Sequence, residues 1–368
     1  MDNNQIPNLK TLLGRGRGGG LRGRARGGYG SSTQGDEAVR DNAVRGTDQD
    51  AAGSRVSCVE FGYLDDPYAK FFATQSSTRR LPLLNRGTYV RTSAIDQLVD
   101  HFLTTPTSTQ KQIISLGAGT DTRYFRLRDK YPNEPLVYHE IDFATNTTAK
   151  LQSIRRHPSL QDRIGDSHFA LKPTADSYHS ASYNIHALDL RSLTTSSPPP
   201  LENLSPTLPT LILSEMCLIY LHPTTVSGIL NRLLTHYVSP RTPASLVLYE
   251  PIFPHDAFGR TMISNLSTRN IHLPTLTAYP GLVDQRARLR QYGFGDGCRA
   301  ADTKFIWRVW VSEEEKERVA GLEMLDELEE LELLLRHYCV AWGWRDGEGE
   351  GEDVFSRAWS EVREQDGG

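Results

Sequence analysis

A glycine-rich turn directly follows an apolar segment at residues 113–122, which read IISLGAGTDT. In an open α/β sheet such a turn marks the carboxyl edge, where ligands bind. Gly117 and Gly119 have no Cβ, so a ligand can lie against the backbone, although a purely structural turn would need only one glycine. The dinucleotide fingerprint places a third glycine where this chain has Thr122. The turn therefore disfavours NAD or FAD and favours a ligand without phosphate.

An acidic side chain ends the next apolar segment, residues 138–142 (YHEID). Asp142 comes 25 residues after Gly117, where a carboxylate can accept hydrogen bonds from both hydroxyls of a ribose. Glu140 alternates with Asp142 along the strand, so the two could exchange roles. An acidic strand end is usually a solvated turn, but after the glycine turn it indicates an adenosine ligand.

Two further carboxylates follow later apolar segments. Asp189, in ALDLR, lies where a side chain could contact the amino group of adenine, and Glu215 comes just after the segment at 211–213. A carboxylate at the mouth of a parallel sheet can hold the amino group of a methionine moiety. Taken singly, each residue could equally be a helix cap or a solvated loop acid.

Short apolar segments alternate with helical ones after residue 109, which predicts an α/β fold with a parallel, helix-covered sheet. The helix before the sheet has an S-x-x-D start at Ser93, and its apolar residues 95, 98, 99 and 102 share one face. The predicted strands are residues 112–116, 136–141, a region near 183–188, 211–213, 246–249 and 304–310.

The composition indicates one elaborated domain between two tails. Residues 1–35 are predicted to be a disordered Arg/Gly-rich tail, either a solvated leader or a weak RNA-binding segment. Residues 36–345 form the domain, with a helical lid at its start and an insertion near 253–300. The leucines from Leu322 onward, with Tyr338, suggest one acidic covering helix. Residues 346–368 are predicted to be a mobile acidic tail.

Composition and charge exclude several classes of protein. Of the 368 residues, 38% are hydrophobic and 23% charged, which is incompatible with disorder of the whole chain. The four cysteines form no CxxC pair, so neither a metal site nor a disulfide framework is expected. No stretch approaches 18 consecutive apolar residues. We expect a monomeric protein of the cytoplasm, and of the nucleus as well, with no membrane partner.

Seven motifs together resemble the leucine carboxyl methyltransferase family. The resemblance runs from about Thr47 to about Trp344 and implies the fold of S-adenosylmethionine-dependent methyltransferases, with that cofactor. It also implies a substrate, the terminal leucine carboxylate of the catalytic subunit of protein phosphatase 2A. The motifs are residues 89–92 (YVRT), 116–122 (LGAGTDT), 140–143 (EIDF), 188–191 (LDLR), 214–221 (SEMCLIYL), 249–251 (YEP) and 336–339 (RHYC).

The same resemblance implies roles for individual cofactor-binding residues. Arg91 should meet the methionine carboxylate, and Glu215 should take the amino group. Gly117 should border the cofactor, and Asp142 should hold the ribose. Arg55 stands where the animal members have lysine, which preserves the charge but changes its geometry.

The adenine would lie between Asp189 and Leu190. The acceptor carboxylate is already ionised at neutral pH, because an α-carboxyl titrates near about 3.5, so no general base is required. Arg191 and Tyr220 are the candidates for orienting it, although Arg191 could be a solvated charge and Tyr220 a buried aromatic. Two alternative functions are an O-methyltransferase for a small-molecule carboxylate and a noncatalytic RNA-binding module.

Overall fold

The structure is a computed structural model, and it describes residues 32–74, 79–164, 175–326, 328–349 and 351–367. Nearly all of the predicted Arg/Gly-rich tail therefore lies outside the described residues. The part of this tail that is described, from Ser32 onward, belongs to a long helix.

One sheet of eight strands organises the described part of the chain, in the order β3-β4-β2-β1-β5-β6-β8-β7. Strands β4, β2, β1, β5 and β6 are parallel, whereas β3 and β8 run antiparallel to their neighbours. The strands are β1 (Lys111–Leu116), β2 (Leu136–Asp142), β3 (Tyr178–His179), β4 (Tyr183–Ala187), β5 (Thr210–Glu215), β6 (Ala244–Pro251), β7 (Gly297–Asp302) and β8 (Tyr338–Arg345).

The chain leaves β1 toward β2 and β4 on one side, and reaches β5 and β6 on the other. Strand order thus reverses at β1, and such a switch point opens a crevice beyond the carboxyl ends of the strands. Every residue of β1, β2 and β6 is buried. Burial on both faces is typical of parallel strands that helices cover on either side.

Helices cover both faces of the sheet. None of the described helices is long and apolar enough to cross a membrane. The helices are α1 (Ser32–Glu60), α2 (Pro82–Thr104), α3 (Arg123–Lys130), α4 (Ala144–Arg156), α5 (Pro158–Ile164), α6 (Pro223–Arg232), α7 (Ala257–Ser267), α8 (Pro274–Ala278), α9 (Leu282–Gln291), α10 (Thr303–Val309), α11 (Glu313–Ala320), α12 (Leu328–Arg336) and α13 (Val354–Ala358).

Five of the six predicted strands are confirmed, and the prediction of a strand at 304–310 is wrong. Those residues form α10, which begins because the carboxylate of Asp302 accepts a hydrogen bond from the backbone N–H of Phe305, at 2.6 Å. The strand in this region is β7, which ends at Asp302, immediately before α10. Its partner β8 begins at Tyr338, inside the predicted covering helix, because this segment pairs with β6 along its whole length. The remaining helical part is split into α11 and α12.

The helix before the sheet has the predicted buried face but a different start. The side chains at 95, 98, 99 and 102 are fully buried, as predicted. Helix α2 nevertheless begins at Pro82, eleven residues before Ser93. The Ser93 hydroxyl donates to the Tyr89 carbonyl at 2.8 Å, so it bonds back within the helix and caps nothing.

The prediction of a mobile tail at 346–368 is wrong, because this segment completes the core. Phe355 and Trp359 are fully buried. The Phe355 ring stacks on Phe102 with centroids 4.8 Å apart, and the Trp359 indole N–H donates to the Leu98 carbonyl at 3.1 Å. Two buried aromatic rings outweigh the acidic, glycine-rich composition of the sequence before them.

Trp359→Ala should therefore lower the free energy of unfolding by about 3–5 kcal/mol, since it removes a large buried ring and its hydrogen bond to the Leu98 carbonyl. Urea unfolding, monitored by far-ultraviolet circular dichroism of the backbone, measures this loss. Glu361→Ala, on the exposed side of the same segment, is the matched control and should change stability by less than about 0.5 kcal/mol. A loss below about 1 kcal/mol for Trp359→Ala would show that this segment is peripheral.

Candidate active site

A cleft of about 630 Å³ opens at the carboxyl edge of the sheet, beyond β1, β2 and β5. It lies where the reversal of strand order predicts a ligand site. Helix α1 and residues from the region between β6 and β7 complete its walls. The nine residues singled out from the sequence all line it: Arg55, Arg91, Gly117, Asp142, Asp189, Leu190, Arg191, Glu215 and Tyr220.

The turn after β1 needs glycine at both positions. Gly117 and Gly119 have positive φ angles of 63° and 46°, a region in which side-chain-bearing residues are strained. A Cβ on Gly117 would lie 2.6 Å from the Cys217 sulfur, and a Cβ on Gly119 would overlap a carboxylate oxygen of Asp48. The bare backbone of the turn therefore forms the floor of the cleft.

Asp142 closes β2 beside that turn. One carboxylate oxygen accepts from the Gly119 N–H at 2.7 Å, and the other accepts from the Phe143 N–H, also at 2.7 Å. Burial raises the pKa of Asp142 to about 6, although these backbone hydrogen bonds oppose the rise. Glu140 does not line the cleft but pairs with Lys150 at 2.5 Å. Of the two acids on this strand, Asp142 is thus the one that lines the cleft.

Glu215 at the end of β5 is bound by two arginines. The Arg91 Nε donates to one of its oxygens, and an Arg123 terminal nitrogen lies 3.3 Å from the other. Burial alone would raise the pKa of Glu215, but the two guanidinium groups outweigh it and hold this pKa below its usual value. Arg91 also lies over the Tyr249 ring, 4.8 Å from its centroid. A positive and a negative group are thus fixed side by side in the cleft.

Arg123 is a supporting residue that the sequence analysis missed. Its side chain is 1% exposed and bridges Glu215 to Asp96 on α2 and to the neighbouring Asp121. The available signal was its position directly after the glycine-rich segment, at the start of α3. A buried guanidinium with three carboxylate partners fixes the orientation of Glu215.

Arg191 contacts three carboxylates. Its guanidinium lies 2.6 Å from each of Glu37, Asp41 and Asp189. Asp189 also accepts from the Arg191 backbone N–H at 2.9 Å, which caps a short 3-10 helix. These contacts argue against the predicted role of Arg191 in orienting an acceptor carboxylate, because its charge is already matched.

Three predicted residues occupy the remaining walls. Tyr220 ends a single 3-10 turn after β5, and burial raises its pKa to about 12, so its hydroxyl keeps its proton at neutral pH. Arg55 on α1 pairs with Asp66 at 3.3 Å. Leu190 is buried and supplies an apolar surface beside Asp189.

Helix α1 contributes more to the cleft than the sequence predicted, since only Arg55 of this helix was expected there. Asp48 accepts from the Thr120 N–H at 2.7 Å and from the Thr120 hydroxyl at 2.8 Å, and so binds the glycine turn. Glu37, Asp41 and Asp48 are spaced by four and seven residues, a period that places them on one helical face. That spacing was the signal available in the sequence.

The strand order, with an antiparallel strand between β6 and β7, and the cleft at the glycine turn define the fold of S-adenosylmethionine-dependent methyltransferases. Residues 43–234 match the family profile of leucine carboxyl methyltransferases. The chain is 49% identical, over 100% of both sequences, to leucine carboxyl methyltransferase 1 of Aspergillus fumigatus. It is 52% identical to that of Emericella nidulans, over 93% of this chain and 94% of the relative. The chain belongs to the leucine carboxyl methyltransferase family and is a methyltransferase.

Gly119→Ala should lower the free energy of unfolding by about 1–3 kcal/mol, because it adds positive-φ strain and a clash with Asp48. Adding Asp48→Ala should recover the part due to the clash. Gly46→Ala, on α1 with open space around it, is the control and should stabilise the protein slightly. Chemical unfolding measures all four proteins. Equal stability of Gly119→Ala and the wild type would contradict the described turn.

Proposed function

We propose that this protein methylates the α-carboxylate of the C-terminal leucine of the protein phosphatase 2A catalytic subunit, with S-adenosylmethionine as methyl donor. Family membership supports methylation of a leucine carboxyl group. The observation that carries the proposal is the arrangement of one cleft. The glycine turn and Asp142 lie beside the opposite charges of Arg91 and Glu215.

This arrangement matches the parts of S-adenosylmethionine. The Asp142 carboxylate suits two ribose hydroxyls, and the bare turn at Gly117 and Gly119 lets a nucleoside approach the backbone. The methionine moiety of the cofactor carries an ammonium group and a carboxylate. The ammonium group complements Glu215, and the carboxylate complements Arg91. When bound, the cofactor supplies a methyl group on a positively charged sulfur.

The acceptor needs orientation and partial desolvation rather than a base. A terminal carboxylate is ionised at neutral pH and attacks directly, forming a C–O bond as the C–S bond breaks. The Tyr220 hydroxyl can donate to one carboxylate oxygen without fully neutralising the nucleophile. Met216, Leu266 and Tyr338 line the cleft together with Tyr220, and they provide an apolar surface suited to a leucine side chain.

The enzyme should transfer labelled methyl from S-adenosylmethionine to phosphatase catalytic subunit that ends in leucine. Alkaline treatment should release the label as methanol, since a methyl ester is base-labile. A subunit without the terminal leucine is the matched control and should remain unlabelled. No label on the intact subunit, together with methylation of small carboxylic acids, would overturn the proposed substrate.

Cofactor affinity should weaken as the pH falls through about 6. The pKa of Asp142 is raised to about 6, and only the ionised carboxylate accepts from both ribose hydroxyls. Below that pH, affinity for S-adenosylhomocysteine should fall by up to about tenfold per unit. Calorimetric titration from pH 5 to 8 measures this.

Two variants identify the titrating carboxyl. Asp142→Asn should bind weakly at all pH values and lose the step near pH 6. Glu140→Gln should keep that step, although burial raises the pKa of Glu140 to about 7, because Glu140 does not line the cleft. If Glu140→Gln removed the step instead, the assignment of Asp142 would be wrong.

A further inference from the structure

Helix α1 crosses the cleft and is bound at several points along it. Near its first turns, Glu37 and Asp41 pair with Arg191. One turn further on, the Arg45 guanidinium lies over the Phe143 ring, 5.4 Å from its centroid. Asp48 then binds the glycine turn through Thr120. A ligand held at the glycine turn is therefore covered by this helix.

Arg191 is the residue that joins the helix to the adenosine end of the cleft. It lies just after β4, in the same short segment as Asp189 and Leu190, and its side chain is 28% exposed. Two of its three carboxylate partners belong to α1, and the third is its neighbour Asp189. One positive charge thus holds three negative charges together. Without it, Glu37 and Asp41 would repel Asp189 and disfavour the closed helix.

We propose that Arg191 is a positioning residue that holds helix α1 closed over the cofactor, and that its ion pairs with Glu37 and Asp41 form a latch that opens for cofactor exchange. The latch rests on the proposed function only for the identity of the ligand. The pairs are partly exposed, so they contribute modestly and are screened by salt. A weak contact suits a helix that must release the product in every turnover.

The test compares three proteins with the wild type: Glu37→Gln/Asp41→Asn, Arg191→Gln, and the combination of all three changes. S-adenosylhomocysteine should dissociate about three- to tenfold faster from the first two, as expected for the loss of two partly exposed ion pairs. Stopped-flow fluorescence measures this rate. High salt should accelerate release from the wild type more than from the variants.

Hydrogen exchange of residues 37–48 without any ligand gives a second readout that does not depend on the identity of the cofactor. Their amides should exchange about three- to tenfold faster in Glu37→Gln/Asp41→Asn and in Arg191→Gln than in the wild type. Glu332→Gln, which removes an exposed ion pair with Lys304 outside the cleft, is the control and should alter neither rate.

The combined variant separates a latch from simple fraying of α1. If Arg191 acts through Glu37 and Asp41, adding their substitutions to Arg191→Gln should cause no further acceleration of either rate and should slow both somewhat, because the repulsion from Asp189 is removed. Additive effects would mean that the acidic residues act only on the helix itself, and the latch would be rejected. Unchanged exchange in Arg191→Gln would also reject it. If the wild type did not bind S-adenosylhomocysteine, the proposed cofactor would be wrong. The latch would still be supported if hydrogen exchange without ligand changed in the variants as expected.

Discussion

A hydrogen bond from the backbone N–H of Gly119 to the Asp142 carboxylate joins the ends of the two neighbouring strands β1 and β2. It requires a turn that no side chain fills, which is why both Gly117 and Gly119 adopt positive φ angles. It also buries a carboxylate that must keep hydrogen-bond partners to remain charged. The floor of the cleft and the position of the Asp142 carboxylate both depend on this junction.

The charged groups of the cleft are arranged as matched sets. Arg91 and Arg123 share Glu215, whereas Arg191 is shared by three carboxylates. The first set is anchored by a guanidinium that is almost fully buried, so Glu215 has little freedom to move. The second set is partly exposed and connects elements far apart in sequence. The rigid set suits ligand binding, and the looser one suits a moving helix.

Most of the fold was predictable because, in the central strands, the hydrophobic pattern of the sequence agrees with the burial that the sheet imposes. Strands β1, β2, β5 and β6 each contain a short run of buried apolar residues, and this run is visible in the sequence. The errors fall where the two disagree. Residues 304–310 have an aromatic-rich pattern that fits either a strand or a helix, and only the cap at Asp302 and the pairing of β8 decide between them. The C-terminal segment has a polar composition, yet Trp359 is buried.

The sequence by itself determined the order of the strand ends that line the cleft: a glycine turn, then Asp142, Asp189 and Glu215. These residues are specified locally, since each lies at the carboxyl end of its strand or within two residues of it. Only the tertiary structure decided which charges meet. Arg191 contacts Glu37 and Asp41, about 150 residues away in sequence, and Asp48 contacts the turn at Thr120. The spacing of the acids on α1 shows that they share one helical face but not which residues they contact, because these pairs arise from how a helix packs across a completed sheet.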